Sequence, residues 1–176
     1  MSFLIGLDLS LTSTGVSING ETSVISTKAR AAERLHIVSS AILDLCASKE
    51  IACAIIEGYS FASRNSQAHS IGELGGVVRM RLWENGIPYI EVPPTCRAKF
   101  ATGKGNAGKS EVVSSVSAKT GIIFSGAGGD DECDAWLLEQ MGLAHLNKSK
   151  YEWSEVSISS LSKVDWAPLD KVRESI

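Results

Sequence analysis

Alternating apolar and polar positions near the N-terminus predict a sheet that opens with three strands. The predicted strands run from Phe3 to Leu9, from Thr14 to Ile18 and from Ser23 to Ser26. In the first strand, a period of two places Leu4, Gly6 and Asp8 on one face and the most apolar residues on the other. The dipeptide Asn19-Gly20 is typical of a tight hairpin between the second and third strands. The opening strands therefore form a meander.

The rest of the chain alternates helical and strand patterns. Apolar residues at helical spacing predict helices from Ala29 to Ser48, Gln67 to Glu84, Lys109 to Ala118 and Asp131 to His145. Short apolar runs predict strands from Ile51 to Glu57 and from Ile87 to Val92. The last strand stops at Pro93-Pro94, and a glycine-rich loop follows from Thr102 to Gly108. This order predicts an α/β fold with a mixed five-stranded sheet flanked by helices on both faces.

Composition and length favour one soluble globular domain. The chain has 176 residues, of which 44% are hydrophobic and 21% charged. No apolar run approaches the roughly 18 residues of a membrane span, and no secretory leader is recognisable, so we expect a cytoplasmic protein without a membrane partner. The four cysteines lack a CxxC pair and zinc-finger spacing, which favours reduced thiols. We predict a main domain over residues 1–146 and a partly ordered C-terminal extension over residues 147–176.

Carboxylates occupy two predicted strand ends and one helix start. They are Asp8, Glu57, Asp131 and Asp134, the last two on one helical face. A carboxylate in an apolar strand is costly unless it is paired, hydrogen-bonded or bound to a metal. Oxygen ligands without His or Cys favour Mg²⁺, with Mn²⁺ as a substitute, and two such ions would support phosphodiester hydrolysis. Taken singly, Glu57 has pairing with an arginine as its alternative role, and N-capping is the favoured role for Asp130.

A basic segment precedes the third predicted helix, although the net charge of the chain is −3. The basic residues are Arg97, Lys99, Lys104 and Lys109, with no acid between them. Residues Gly103 to Ser110 match the phosphate-binding pattern GxxxxGK[ST], but such a loop should follow a strand directly. We therefore expect no nucleotide cofactor. The favoured role is contact with a DNA backbone, and the alternative is a solvated charged loop.

Four segments together resemble the RuvC family of Holliday-junction resolvases. In chain order they are IGLDLSLTSTG, AIIEGYSFASRNSQAHSIGELGG, TGKGNAGKSEVV and DDECDAWLL. The resemblance covers about residues 3–146 and implies an RNase H-like nuclease domain. It further implies a homodimer that makes Mg²⁺-dependent symmetric nicks in four-way DNA junctions. The family's catalytic acids match Asp8, Glu57, Asp131 and Asp134. Lysines of this region contact DNA in the family, one of them at the reacting phosphate, and Lys109 is the first candidate for that role here, followed by Lys104.

Two departures from the family pattern leave alternatives open. The stretch after Glu57 is one residue longer than usual, so the aromatic residue that stacks on a base is either Tyr59 or Phe61. The alternative role for this aromatic residue is to close the edge of the core. The C-terminal extension has no family counterpart. Rival functions are an RNA-processing nuclease of the same fold and a non-catalytic junction-binding module. The helix from Gln67 to Glu84, which glycines interrupt, is the best candidate for a dimer face.

Overall fold

Five strands form a single mixed sheet in the computed structural model, which describes residues 2–59 and 67–176. The strands are β1 Phe3–Asp8, β2 Ser13–Ile18, β3 Glu21–Ser26, β4 Ile51–Glu57 and β5 Tyr89–Val92. Their order across the sheet is β3-β2-β1-β4-β5; the first three are antiparallel, while β4 runs parallel to β1 and to β5. Asn19 and Gly20 both have positive φ angles, of 54° and 79°, as the predicted hairpin requires. The predicted meander is confirmed.

Helices cover both faces of this sheet. The main helices are α1 Ala31–Lys49, α2 Gln67–Glu84, α3 Pro94–Thr102, α4 Lys109–Thr120 and α5 Gly129–His145. Ile5 and Leu7 pack with α1 and α2 on one face. Leu4 and Ile55 pack on the other face with α3, α4 and α5, where Trp136 is the largest buried side chain. The predicted α/β fold with helices on both faces is therefore confirmed.

Helix α3 was not predicted: the sequence analysis assigned no element between the end of β5 and the glycine-rich loop. Pro94 occupies its first turn, where a helix does not need the missing N–H, and Gly103 ends it with a φ of 83°. The sequence pattern failed here because the helix is buried nearly all round. Cys96, Arg97 and Phe100 are all buried, and within α3 only Thr95 is exposed, so the polar side of the helix is too narrow to mark the element.

The chain beyond α5 forms short helical segments. They are α6 Glu155–Ser159, a 3₁₀ turn Ser160–Lys163, α7 Ala167–Asp170 and a second 3₁₀ turn Arg173–Ser175. Leu161, Trp166 and Leu169 are buried in the same core as Trp136. The segment packs on α3 and β5. Every residue of 147–176 is described, and its treatment as a unit separate from residues 1–146 stays a prediction.

Two glycines let α5 lie directly on the sheet. A Cβ atom at Gly6 of β1 would sit 2.0 Å from the carbonyl oxygen of Ala135, and one at Gly15 of β2 would sit 2.0 Å from that of Asp131. No larger residue fits at either position without moving backbone. The close approach brings the first turns of α5 to the carboxyl end of β1.

All four cysteines are buried and carry free thiols, as their spacing predicts; they are Cys46, Cys53, Cys96 and Cys133. Within residues 2–59 and 67–176, no helix combines the length and apolar character needed to cross a bilayer.

Candidate active site

The first two acids of the site come from neighbouring parallel strands. Leu7 of β1 pairs with Ile56 of β4, so Asp8 and Glu57 follow at the same end of the sheet. Leu7 and Ile56 face α1 and α2. Because side chains alternate along a strand, the two carboxylates point to the opposite face, under α5.

The third acid is Asp134, in the second turn of α5. It is 3% exposed, and one oxygen from each of Asp8, Glu57 and Asp134 lies within 4.8 Å of the others. Asp131 lies one helical turn earlier, and its Oδ1 is 3.6 Å from Nζ of Lys109. The structure thus gathers three of the four predicted acids and places the fourth next to the predicted catalytic lysine.

Burial and mutual repulsion perturb two of these carboxyl groups. The pKa of Asp8 is raised to about 9, mainly by burial and in addition by the nearby charges of Glu57 and Asp134. Burial also raises the pKa of Asp134 to about 7, against the lowering effect of Arg97. A site that disfavours its own negative charges in this way is suited to bind cations.

Arg97 lies among the acids, whereas the sequence analysis predicted that it belongs to an outer basic surface. It is 9% exposed; its Nε donates to Oε1 of Glu57 at 2.9 Å, and its Nη1 donates to Oδ1 of Asp134. The sequence alternative that Glu57 pairs with an arginine is therefore realised inside the site. The sequence did not indicate that Arg97 is this partner, because a basic residue next to lysines predicts a charged surface; its apolar neighbours Cys96 and Ala98 were the available signal.

Of the three predicted lysines, Lys109 lies next to acids of α5. Lys109 begins α4, and its Nζ donates to Oδ2 of Asp130 at 2.6 Å. That hydrogen bond raises the pKa of Lys109 and lowers the pKa of Asp130. The N-cap of α5 is Gly128, so the N-capping role for Asp130 is wrong. Lys104 is exposed and pairs with Glu111 at 3.0 Å, whereas Lys99 is partly exposed on α3.

Of the two candidate aromatic residues, Tyr59 is described and Phe61 lies outside the described residues. The Tyr59 hydroxyl donates to the carbonyl oxygen of Gly72 at 3.1 Å and accepts from Nη2 of Arg79 at 2.7 Å. A Cβ atom at Gly75 would sit 2.0 Å from that hydroxyl oxygen. Through these two hydrogen bonds, Tyr59 connects the chain after β4 to α2.

The donor set fits a hard divalent cation. Asp8, Glu57 and Asp134 offer only carboxylate oxygens, the ligand type that Mg²⁺ and Mn²⁺ prefer. Two of the three have raised pKa values, so a bound cation would relieve repulsion that is already present.

Comparisons with known proteins point to one group. No family model matches the chain. A curated relative, the crossover junction endodeoxyribonuclease RuvC of Sorangium cellulosum (strain So ce56), is 31% identical over 94 residues. The match spans 53% of this chain and about half, 52%, of that relative.

Solved structures share the architecture over most of the chain. The Thermus thermophilus RuvC structure aligns with a TM-score of 0.64 and 21% identity, over 85% of this chain and 99% of that one. T. thermophilus RuvC in complex with a Holliday junction substrate gives 0.65 and 19%, over 86% and 100%. The yeast mitochondrial Holliday junction resolvase Ydc2 gives 0.54 and 13%, over 82% and 81%. The chain is similar to RuvC and has its RNase H-like fold.

Proposed function

We propose that this chain is a RuvC-like endodeoxyribonuclease that resolves Holliday junctions and other branched DNA in a divalent-metal-dependent reaction. One observation carries the proposal: Asp8, Glu57 and Asp134 come from three separate elements and bring carboxylate oxygens within 4.8 Å of one another. The likeness to RuvC in sequence and in structure supports a nuclease role for this cluster.

The acids are the proposed ligands of Mg²⁺, with Mn²⁺ as a substitute. Asp8, Glu57 and Asp134 would hold the ions, and Asp131 would join them from the preceding turn of α5. Divalent ions held there would supply activation of the attacking water and stabilisation of the leaving 3′ oxygen. The chain itself contributes a rigid base, because two strand ends and a helix packed on Gly6 and Gly15 fix the ligands.

Lys109 is the proposed contact to the reacting phosphate. Its ammonium group is exposed and stands 3.6 Å from Asp131, and its pKa, already well above neutral pH, is raised further by Asp130 and Asp131, so it stays charged. A cation beside the acids would stabilise the extra negative charge of the pentavalent phosphorus. Lys99 and Lys104 would extend the backbone contact, and Arg97 would reach DNA only by leaving its carboxylate partners. Tyr59 or Phe61 would stack on a base at the crossover.

Helix α2 is the proposed dimer face. Met80 is 50% exposed and Trp83 is 77% exposed, an unusual pair of large apolar side chains on the outer side of one helix. No described atom lies within 4 Å of a Cβ atom built at Gly72 or Gly76, which would allow close approach of a second backbone. Two-fold symmetry through this helix would set two active sites on opposing strands of a junction, giving paired symmetric nicks.

The proposal predicts that Asp8→Asn abolishes cleavage of a four-way junction and leaves junction binding intact. The amide keeps the shape of Asp8 but supplies no anionic ligand. The measurement is nicking of a labelled junction with Mg²⁺, alongside a gel-shift affinity in chelator. Asp44→Asn, an exposed acid on α1, is the matched control and should cleave like wild type. Full cleavage by Asp8→Asn would refute the assignment.

A further inference from the structure

Arg97 joins two acids of the active site that come from different elements. Its guanidinium contacts Glu57 at the end of β4 and Asp134 near the start of α5. Both ion pairs are largely shielded from water, since the side chains of Arg97, Glu57 and Asp134 are 11%, 15% and 4% exposed. Arg97 therefore bridges the sheet to the helix inside the cluster.

When divalent ions are absent, a positive charge stabilises those carboxylates of the cluster that are ionised. Asp8, Glu57 and Asp134 converge within 4.8 Å, where little water screens their repulsion. A guanidinium is permanently charged, and its planar fork can donate to two carboxylates at once. Arg97 makes both of those contacts.

The segment after α5 fixes the helix that carries Arg97. On α3, the ring of Phe100 lies 4.1 Å from the ring of Trp153, centroid to centroid. Leu161 is buried in the same core, and both α6 and the 3₁₀ turn that follows pack on α3. Residues 147–176 thus pack against α3, and Arg97 of that helix contacts the acids.

We propose that Arg97 is a positioning residue, an internal counter-ion that holds Glu57 and Asp134 at ligand spacing in the metal-free protein and competes with divalent cations for them. The inference rests on the proposed function in one respect, that these acids bind divalent ions. Two opposite effects follow when the charge is removed. The metal-free protein loses stability, and the affinity of the acids for divalent ions rises.

Arg97→Gln separates these effects, because glutamine keeps polarity and removes the charge. In chelator, its melting temperature should fall below that of wild type. In calorimetric titration with Mn²⁺ alone, it should bind roughly tenfold more tightly than wild type, since a nearby repelling charge is gone. If the variant is unfolded in chelator, Mn²⁺ should restore its folded circular-dichroism spectrum. Failure of Mn²⁺ to restore the fold would overturn the proposal.

Two further variants make the test specific. Arg97→Lys keeps the charge without the fork, so its Mn²⁺ affinity should stay within about twofold of wild type. Arg173→Gln removes an exposed arginine near the C-terminus and should change neither readout. If Arg97→Gln binds Mn²⁺ no more tightly than wild type, or Arg97→Lys binds as tightly as Arg97→Gln, this inference is wrong. A wild-type protein that binds no Mn²⁺ would instead overturn the proposed function.

Discussion

Asp8 gives the metal-free protein an unusual dependence of stability on pH. The pKa of its carboxyl group is raised from 3.8 to about 9, so the folded chain keeps a proton that the unfolded chain releases. Between about pH 4 and 9 the folded state binds more protons, and the free energy of unfolding must decrease as pH rises. Asp134 acts in the same direction up to about pH 7.

We predict that, in chelator, denaturant unfolding shows stability falling from pH 5 to pH 8. One proton contributes a slope of at most about 1.4 kcal/mol per pH unit. Asp8→Asn should flatten this fall, because the amide does not titrate. Stability that stays constant or increases over that interval in the metal-free wild type would contradict the raised pKa of Asp8.

Individual site residues were predictable where their position in an element defined them. Asp8 and Glu57 were identifiable because each carboxylate interrupts or ends an apolar strand, and Asp134 because its spacing from Asp131 fits one helical face. Arg97 was predicted as a surface cation, because sequence gives its charge but not its burial. The burial of Arg97 follows from the packing of α3, and this packing involves residues more than 50 positions further along the chain, such as Trp153.

At the scale of elements, the contact of α5 with the sheet decides whether the acids converge. Gly6 and Gly15 stand where a methyl group would overlap carbonyl oxygens of α5. Since the clash is with backbone, relief requires the helix to move away from β1 and β2. Asp134 would then move away from Asp8 and Glu57.

Gly6→Ala should therefore destabilise the protein by about 1–3 kcal/mol, the usual cost of overpacking a filled core. Gly108→Ala, just before α4, is the matched control, because φ is −76° there and a Cβ atom would meet no described atom within 4 Å. That control should lower the free energy of unfolding by no more than about 1 kcal/mol, as expected at a helix N-cap. Urea unfolding measures both, and equal stabilities of the two variants would show that α5 does not rest on Gly6 as described.

Strands and amphipathic helices were predicted well, whereas α3 was not. The run from Ile51 to Glu57 and the helix from Gln67 to Glu84 were bounded correctly, since apolar periodicity and flanking polar residues marked them. Helix α3 exposes only a narrow side that includes Thr95, and its starting prolines resemble a break in the chain. Its assignment requires knowing that the segment after α5 covers it.

At the scale of the whole molecule, paired cleavage requires two active sites in one particle. The exposed Trp83 and Met80 on α2 are the residues on which the proposed dimer depends. Burying such side chains provides much of the free energy of a protein interface.

Trp83→Glu should convert a dimer into a monomer at micromolar concentration, as measured by analytical ultracentrifugation. Ile123→Glu is the matched control, because Ile123 is equally apolar and 82% exposed but lies in the segment between α4 and α5. It should remain dimeric. A wild-type protein that sediments as a monomer, or a Trp83→Glu variant that stays dimeric, would rule out this interface.

The most direct test of the account is strand-by-strand mapping of cleavage on a synthetic four-way junction. With Mg²⁺, we expect nicks at symmetric positions in two opposing strands, and with chelator we expect none. A linear duplex and a structured RNA of matched length should remain largely intact. Cleavage that persists in chelator, that is equal on the linear duplex, or that occurs only on the RNA would contradict a metal-dependent junction resolvase.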